Sequence, residues 1–350
     1  MRKEIGIGTI ALLVATAAAT LAAGNVKTAD EAPRVRVFEL SYKAVVRELP
    51  AEAGKIDIWL PYPQSDDTQQ VEVTAVSSPY PKEIRKESKL GNGVLHIAAE
   101  HPGRTEIEIS MIARVTRSER IRRAFGTARD HWQGHLDPAV APWLEPDRLV
   151  PLDERIRGLA REVTAGKKTD LEKARAIYDY VVATMSYDKS GTGWGKGDIY
   201  WACDAKRGNC TDFHALFTGL ARASGIPAKF EIGFPIPPER GEGKIGGYHC
   251  WSQFYLDGYG WVPVDASEAW KHKEKKEYFF GALDEDRVKF SEGRDLVLEP
   301  PQKGQPLNYF VYPYVEVDGK PHTPVELTFT YRDRPPQPAV SAPAASSGRR

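Results

Sequence analysis

The stretch Arg207-Gly208-Asn209-Cys210-Thr211-Asp212-Phe213-His214-Ala215-Leu216-Phe217 constrains this chain more than any other, because it sets a reactive side chain at the mouth of a core helix. Gly208 can take the positive φ of a sharp entry. Asn209 is a good N-cap, and Asp212 places a carboxylate in the first turn, where the helix dipole favours negative charge. The spacing predicts a helix that begins at or beside Cys210. Phe213, Leu216, Phe217 and Leu220 then recur at helical period until Ser224-Gly225 and Ile226-Pro227 stop the run, so the helix is buried with one polar end. A thiol at that end has a lowered pKa, and its thiolate is a nucleophile.

The rest of the 350 residues divides by pattern into a strand-rich part and a mixed part. From residue 35 to 118, Phe38, Leu40 and Tyr42, then Ile56, Ile58 and Leu60, then Ile107, Ile109 and Met111 alternate with polar residues, with turn signals between them. This span is expected to form an antiparallel β-sandwich of immunoglobulin-like type. Residues 119–151 carry Trp132, Trp143 and several prolines and read as an ordered connecting strap. Over residues 152–334 two helices, opened at Asp153 and Asp170, precede the Cys210 helix. Strands at 228–234, 248–256 and 261–265 follow it, which makes this part α+β. Residues 271–324 look irregular, and Val325 to Tyr331 offers a last strand. Residues 335–350, mostly Pro, Ala and Ser, read as a disordered tail.

At the start, Arg2 and Lys3 precede an uncharged run from Ile5 to Ala23 that ends in small residues. Residues 1–24 are expected to be a secretory signal peptide, which makes the protein exported, either periplasmic or extracellular. The run is close to the roughly 18 residues at which a spanning helix becomes possible, so an uncleaved anchor is the other reading. The 48 basic and 48 acidic side chains cancel. No overall field recommends nucleic acid or an anionic membrane as a partner, and no stable membrane association is expected once the signal is removed.

A cysteine nucleophile needs a base to take its proton and a third group to orient that base. His249 and Asp265 are the candidates. They lie on consecutive predicted strands, sixteen residues apart around Asp257-Gly258-Tyr259-Gly260, and so face each other or nearly so. Trp251 shares a strand face with His249 and would shed water beside it. Trp194 and Trp201, in a glycine-rich segment before the nucleophile, could form a cleft wall or aromatic tunnel with Trp251 for substrate, though the segment equally suits a long surface loop. Cys203 and Cys250 could form a disulfide that leaves Cys210 free, or remain two buried thiols. A metal site drawn from the three cysteines with His214 and His249 lacks any C-x-x-C pair, so no metal or cofactor is expected.

Three motifs together carry a family likeness: Gly208-Asn209-Cys210-Thr211-Asp212 running to Ala223-Ser224-Gly225-Ile226-Pro227-Ala228, then Tyr248-His249-Cys250-Trp251, then Gly260-Trp261-Val262-Pro263-Val264-Asp265. In this order, over residues 170–265, the chain resembles the transglutaminase-like superfamily, the papain-like group with a Cys, His, Asp triad. The resemblance implies a nucleophile at Cys210, a general base at His249 and an orienting acid at Asp265. It implies acyl transfer from a peptide or protein amide through a thioester, by hydrolysis or by attack of an amine, with the sandwich as an accessory domain. No calcium-site pattern of the animal enzymes is evident. A binding or scaffolding module that keeps the fold without turnover is the alternative.

Overall fold

The computed structural model describes residues 32–132 and 137–335. The leader expected over residues 1–24, and residues 336–350 of the expected tail, lie outside them. Six strands open the described chain: β1 (Val35–Val46), β2 (Lys55–Tyr62), β3 (Gln69–Ser77), β4 (Lys82–Lys86), β5 (Gly93–Glu100) and β6 (Ile107–Ser118). Alternation drives them inward. On β6, Ile107, Ile109, Met111, Ala113 and Val115 are each no more than 1% exposed. Burial of each larger side chain among them stabilises the fold by about 1.5 to 3 kcal/mol.

These strands do not close the sandwich by themselves. One five-stranded sheet runs β12-β1-β6-β3, with β12 (Val325–Asp333) paired to β1 over nine residues and Glu242–Lys244 added outside β12. The other runs β11-β2-β5-β4, with β11 (Tyr314–Val317) paired to β2 and Lys320–Pro321 beyond it. The strand expected at Val325 to Tyr331 thus exists, and its partner is the first strand of the chain. Without it, β1 would present a long unpaired edge.

The second part is built around one helix. Helices α1 (Glu154–Val163), α2 (Asp170–Thr184) and α3 (Ile199–Ala205) surround α4 (Cys210–Ala223), in which every residue except Ala223 is buried. A helix apolar on all sides must be enclosed. Gly219 shows how closely: a Cβ there would come within 2.2 Å of Ile199 Cδ1 and 2.9 Å of Val150 Cγ1, which justifies a residue costing about 1 kcal/mol in a helix interior.

Beside α4 lies an antiparallel sheet in the order β9-β8-β7-β10, made of β7 (Ala228–Pro235), β8 (His249–Leu256), β9 (Gly260–Val264) and β10 (Arg287–Glu292). The sequence reading missed β10 and the short helix α5 (Ala266–Lys271), leaving the former within an irregular stretch. β10 has only six residues, and its alternation is confined to Val288 and Phe290, too short a run to announce a strand. Residues of β7 and β10, with Cys210 and Cys250, share one core with the sandwich, and the described residues form one compact unit. The fold is α+β, with a papain-like core and a β-rich region whose sheets are finished by the C-terminal strands.

Candidate active site

The entry to α4 is fixed by one carboxylate. Asp212 accepts from the N–H of Asn209 (2.9 Å), completing a capping box, and from those of Gly195 (2.7 Å) and Gly197 (3.0 Å). It therefore ties the glycine-rich loop to the helix start. Gly208, at φ +149°, passes so near that a Cβ would lie 2.2 Å from Asp212 Oδ2. Asn209 takes the N–H groups of Thr211, Asp212 and Phe213 through its side chain and carbonyl. The Cys210 N–H, also among the helix's orphan donors, is not used in this cap.

His249 opens β8, and Asp265 follows β9 as the N-cap of α5. The register pairs Ser252 with Val264, so the acid falls one residue beyond the ladder. That position frees both oxygens. Oδ1 accepts from the Glu268 N–H (2.9 Å) and the Ser267 hydroxyl (3.0 Å), while Oδ2 meets His249 Nε2 (2.7 Å) and Arg287 Nη1 (3.0 Å). With Nε2 engaged, Nδ1 of His249 is the nitrogen left for the hydrogen bond between His249 and Cys210. The structure therefore brings together the three residues expected from the sequence.

Their electrostatics agree. Burial raises the Cys210 thiol, but hydrogen bonds from Cys250 and His249, with the imidazolium charge, hold it well below the ordinary thiol value. Burial disfavours a charged His249, yet the Asp265 carboxylate and then Cys210 push it up to about 10. Burial likewise opposes ionisation of Asp265, and His249 and Arg287 overcome it, holding the carboxyl well below its usual range. All three shifts favour a buried thiolate–imidazolium pair with a carboxylate behind it.

Two residues outside the expected three complete it. Arg287 binds Asp265 and is itself held by Asp284 through Nε (3.0 Å) and Nη2 (3.1 Å). Only an isolated Arg in a seemingly irregular stretch could have pointed to it. His214, fully buried, uses Nδ1 on the Cys210 carbonyl (2.8 Å), so it donates there, and its Nε2 accepts from the Ala266 N–H (3.2 Å). Burial lowers its pKa, and it stands neutral 3.7 Å from Asp265.

The expected cleft tryptophans are placed differently. Trp251 is 0% exposed and gives its indole N–H to Glu231 (2.5 Å). It backs His249 at a ring separation of 6.0 Å and has no face to offer a substrate, because Arg287 lies over its ring and Glu231 holds its indole N–H. Trp194 and Trp201 are half-buried, with Lys189 and Arg207 over their rings. The aromatics that feel charge on Cys210 are instead Tyr187, Tyr248, Tyr309 and Tyr312, all raised first by burial. Tyr309 and Tyr312, within the stretch expected to be irregular, are anchored here by hydrogen bonds to the Gly195 carbonyl (3.2 Å) and from the Tyr248 N–H (3.3 Å). The expected Cys203–Cys250 disulfide is not formed. All three cysteines are free, Cys203 on half-exposed α3 and Cys250 hydrogen-bonded beside Cys210.

Residues 157–266 match the family model of the transglutaminase-like superfamily. An uncharacterized protein of Haemophilus influenzae is 26% identical over 92% of this chain and 98% of its own length. The uncharacterized protein YebA of Bacillus subtilis is 25% identical over 33% of this chain and 18% of its own. Among solved structures, a candidate cysteine protease from Cytophaga hutchinsonii covers 87% of this chain and 93% of that one at 16% identity, with a TM-score of 0.59, a likeness of fold. The span that holds Cys210, His249 and Asp265 is thus the one that matches the transglutaminase-like superfamily.

Proposed function

We propose that this is an exported cysteine-dependent hydrolase of peptide or protein amides. The observation that carries the reading is the chain of hydrogen bonds from Cys210 through His249 to Asp265, with the charges its surroundings impose. In this reading the Cys210 thiolate attacks the amide carbonyl, and the developing oxyanion meets the Cys210 N–H at the positive end of α4. The His249 imidazolium then gives its proton to the departing amine, leaving a thioester. His249, now neutral, takes a proton from water as it attacks, and the acid and thiolate are released. Asp265 orients the imidazole and stabilises its charged form. Trp194 and Trp201 remain candidates for the substrate approach.

Hydrolysis is preferred to amine transfer because it asks only that water reach the thioester, whereas transfer needs a second site that selects an amine. A second reading, a binding module without turnover, draws on the exposure of Cys210, only 1%, since a substrate must first reach it past the tyrosines. The test offers amide-bearing peptides with and without excess primary amine and follows products by mass. Release of free acid, lost in Cys210→Ala, supports the proposal; amine incorporation that outpaces it makes the protein a transferase; neither product from a broad peptide set favours the binding module. The mass of the mature N-terminus tests export.

A further inference from the structure

Among the described residues five arginines are almost wholly buried: Arg36, Arg117, Arg222, Arg287 and Arg294. Four have their guanidinium groups satisfied. Arg36 binds Asp286 and Asp333, Arg222 binds Asp147 and two carbonyls, and Arg287 binds Asp265 and Asp284. Arg294 is held by the carbonyls of Lys196 and Gly197 and by Asn308. Arg117 is the exception. The alternation that buries Ile107 through Val115 on β6 puts Arg117 at the next inward position, where an apolar side chain would be expected.

Arg117 is 2% exposed, and only Nη1 is engaged, on the Thr68 hydroxyl (2.7 Å) and at 3.4 Å on Gln69 Oε1. Nε–H has no partner. Among the described residues no carboxylate comes within ion-pair distance of it. The nearby acids are already committed: Asp66 to Lys289 (2.8 Å), Asp67 to Arg120 (2.9 Å), Glu231 to Trp251, Gln253 and Lys289, and Glu292 to Lys229 and Lys289. Burial and the neighbouring Arg287 both penalise the charge on Arg117, pulling it down to about 10. A buried cation without an anion is costly.

Arg117 lines a cavity of about 180 Å³ between the sandwich and the outer face of the sheet that carries His249. Two more unpartnered polar atoms belong to its lining, Nε–H of Arg120 and the carbonyl oxygen of Gln253. Trp261 supplies an apolar wall, capped by Lys229 at 4.7 Å from its ring centroid. Orphan donors beside one orphan acceptor ask for a ligand that is anionic and also bears a hydrogen-bond donor. The Nε edge of a guanidinium is suited to a carboxylate through two parallel hydrogen bonds.

We propose that this cavity is a binding site, separate from Cys210, for a small carboxylate carrying a neighbouring hydroxyl or amino group, with Arg117 and Arg120 on the carboxylate and Gln253 on the donor. The cavity is too small for a folded partner and roomy enough for such a molecule with water beside it. Occupancy would reach the candidate active site through one chain of contacts. Glu231 on the cavity wall holds the Trp251 indole, and that ring lies against His249 and under Arg287, 5.0 Å away.

The test titrates the full-length protein with glycolate and glycine, using acetate and methylamine as controls that each lack one of the two groups. Binding is followed by the melting temperature and by the Arg117 Nε–H resonance of arginine-labelled protein. Saturable binding at millimolar concentration or tighter is expected for glycolate or glycine, at least tenfold weaker for acetate and absent for methylamine. Arg117→Gln should abolish it. Gln253→Leu, which keeps the Arg117 cation, should reduce glycolate and glycine to the level of acetate. No saturable shift with any carboxylate, or shifts equal in wild type and both variants, would overturn the proposal and leave the orphan groups to water.

Discussion

Two buried imidazoles flank the same carboxylate, one on the sheet and one on the central helix, and their pKa values are pushed in opposite directions. His249, on β8, has Asp265 at 2.7 Å and the Cys210 sulfur as its other partner, and it is held protonated to about 10. His214, on α4, lies 3.7 Å from the same carboxylate, but a backbone N–H points at its Nε2 and a backbone carbonyl takes its Nδ1 proton. Burial then keeps it neutral. The difference teaches that proximity to an acid does not set the charge of a histidine; the partner aimed at each nitrogen does.

Variants can break this comparison. His249→Ala should have the largest effect, lowering turnover on any amide substrate by about 10² to 10⁴ as both base and counter-ion are lost, while the fold persists. Circular dichroism and steady-state kinetics check it together. Asp265→Asn comes next, with a loss of about 10³, because an amide can orient the ring but cannot support its charge. Near-normal turnover in that variant would show Asp265 to be only the cap of α5. His214→Asn should change turnover by no more than several-fold. It should cost about 1 to 3 kcal/mol of stability in a urea titration, through the buried Ala266 N–H left without its partner. A collapse of thiol reactivity there would move the base to His214.

Stability against pH sharpens the same contrast. Asp265 is depressed, so its contribution is complete above the unfolded carboxylate pKa of about 3.9 and is lost as pH falls through the folded value. His249 is raised, so its contribution is complete below an unfolded pKa of about 6.5 and is lost as pH rises through about 10. Cys210 is held low, so below the ordinary thiol value of about 8.5 the proton its thiol keeps in the unfolded chain offsets the one held by His249. Thermal melts should therefore show a plateau between about 6.5 and 8.5 and a decline from there towards pH 10. In His249→Ala the alkaline decline should flatten.

Much of this was legible in the sequence because it was local. The Asn209 cap, the Cys210 helix and the β8–β9 turn each rest on a few adjacent residues, and they suffice to bring Cys210, His249 and Asp265 together. What was not legible depends on distant pairing. The partnership of β12 with β1, the placement of β10 and hence of Arg287, and the arrival of Tyr309 and Tyr312 at the sulfur have no local signal. Trp251 was placed on the correct strand and face, but whether that face is open depends on β7 and its Glu231. The proposed disulfide failed for the same reason: Cys250 is near the nucleophile in space, and Cys203 is near it only in sequence.

The central claim is that Cys210 is an ion-paired thiolate, and the pH dependence of its alkylation tests it most directly. The rate with iodoacetamide is measured at Cys210 by peptide mapping and divided by its own value at high pH, so that restricted access cancels. The account predicts a rate already near its plateau at neutral pH, and in His249→Ala a shift of the midpoint upward. A rate that rises through the ordinary thiol range near 8.5, unchanged by His249→Ala, would contradict it.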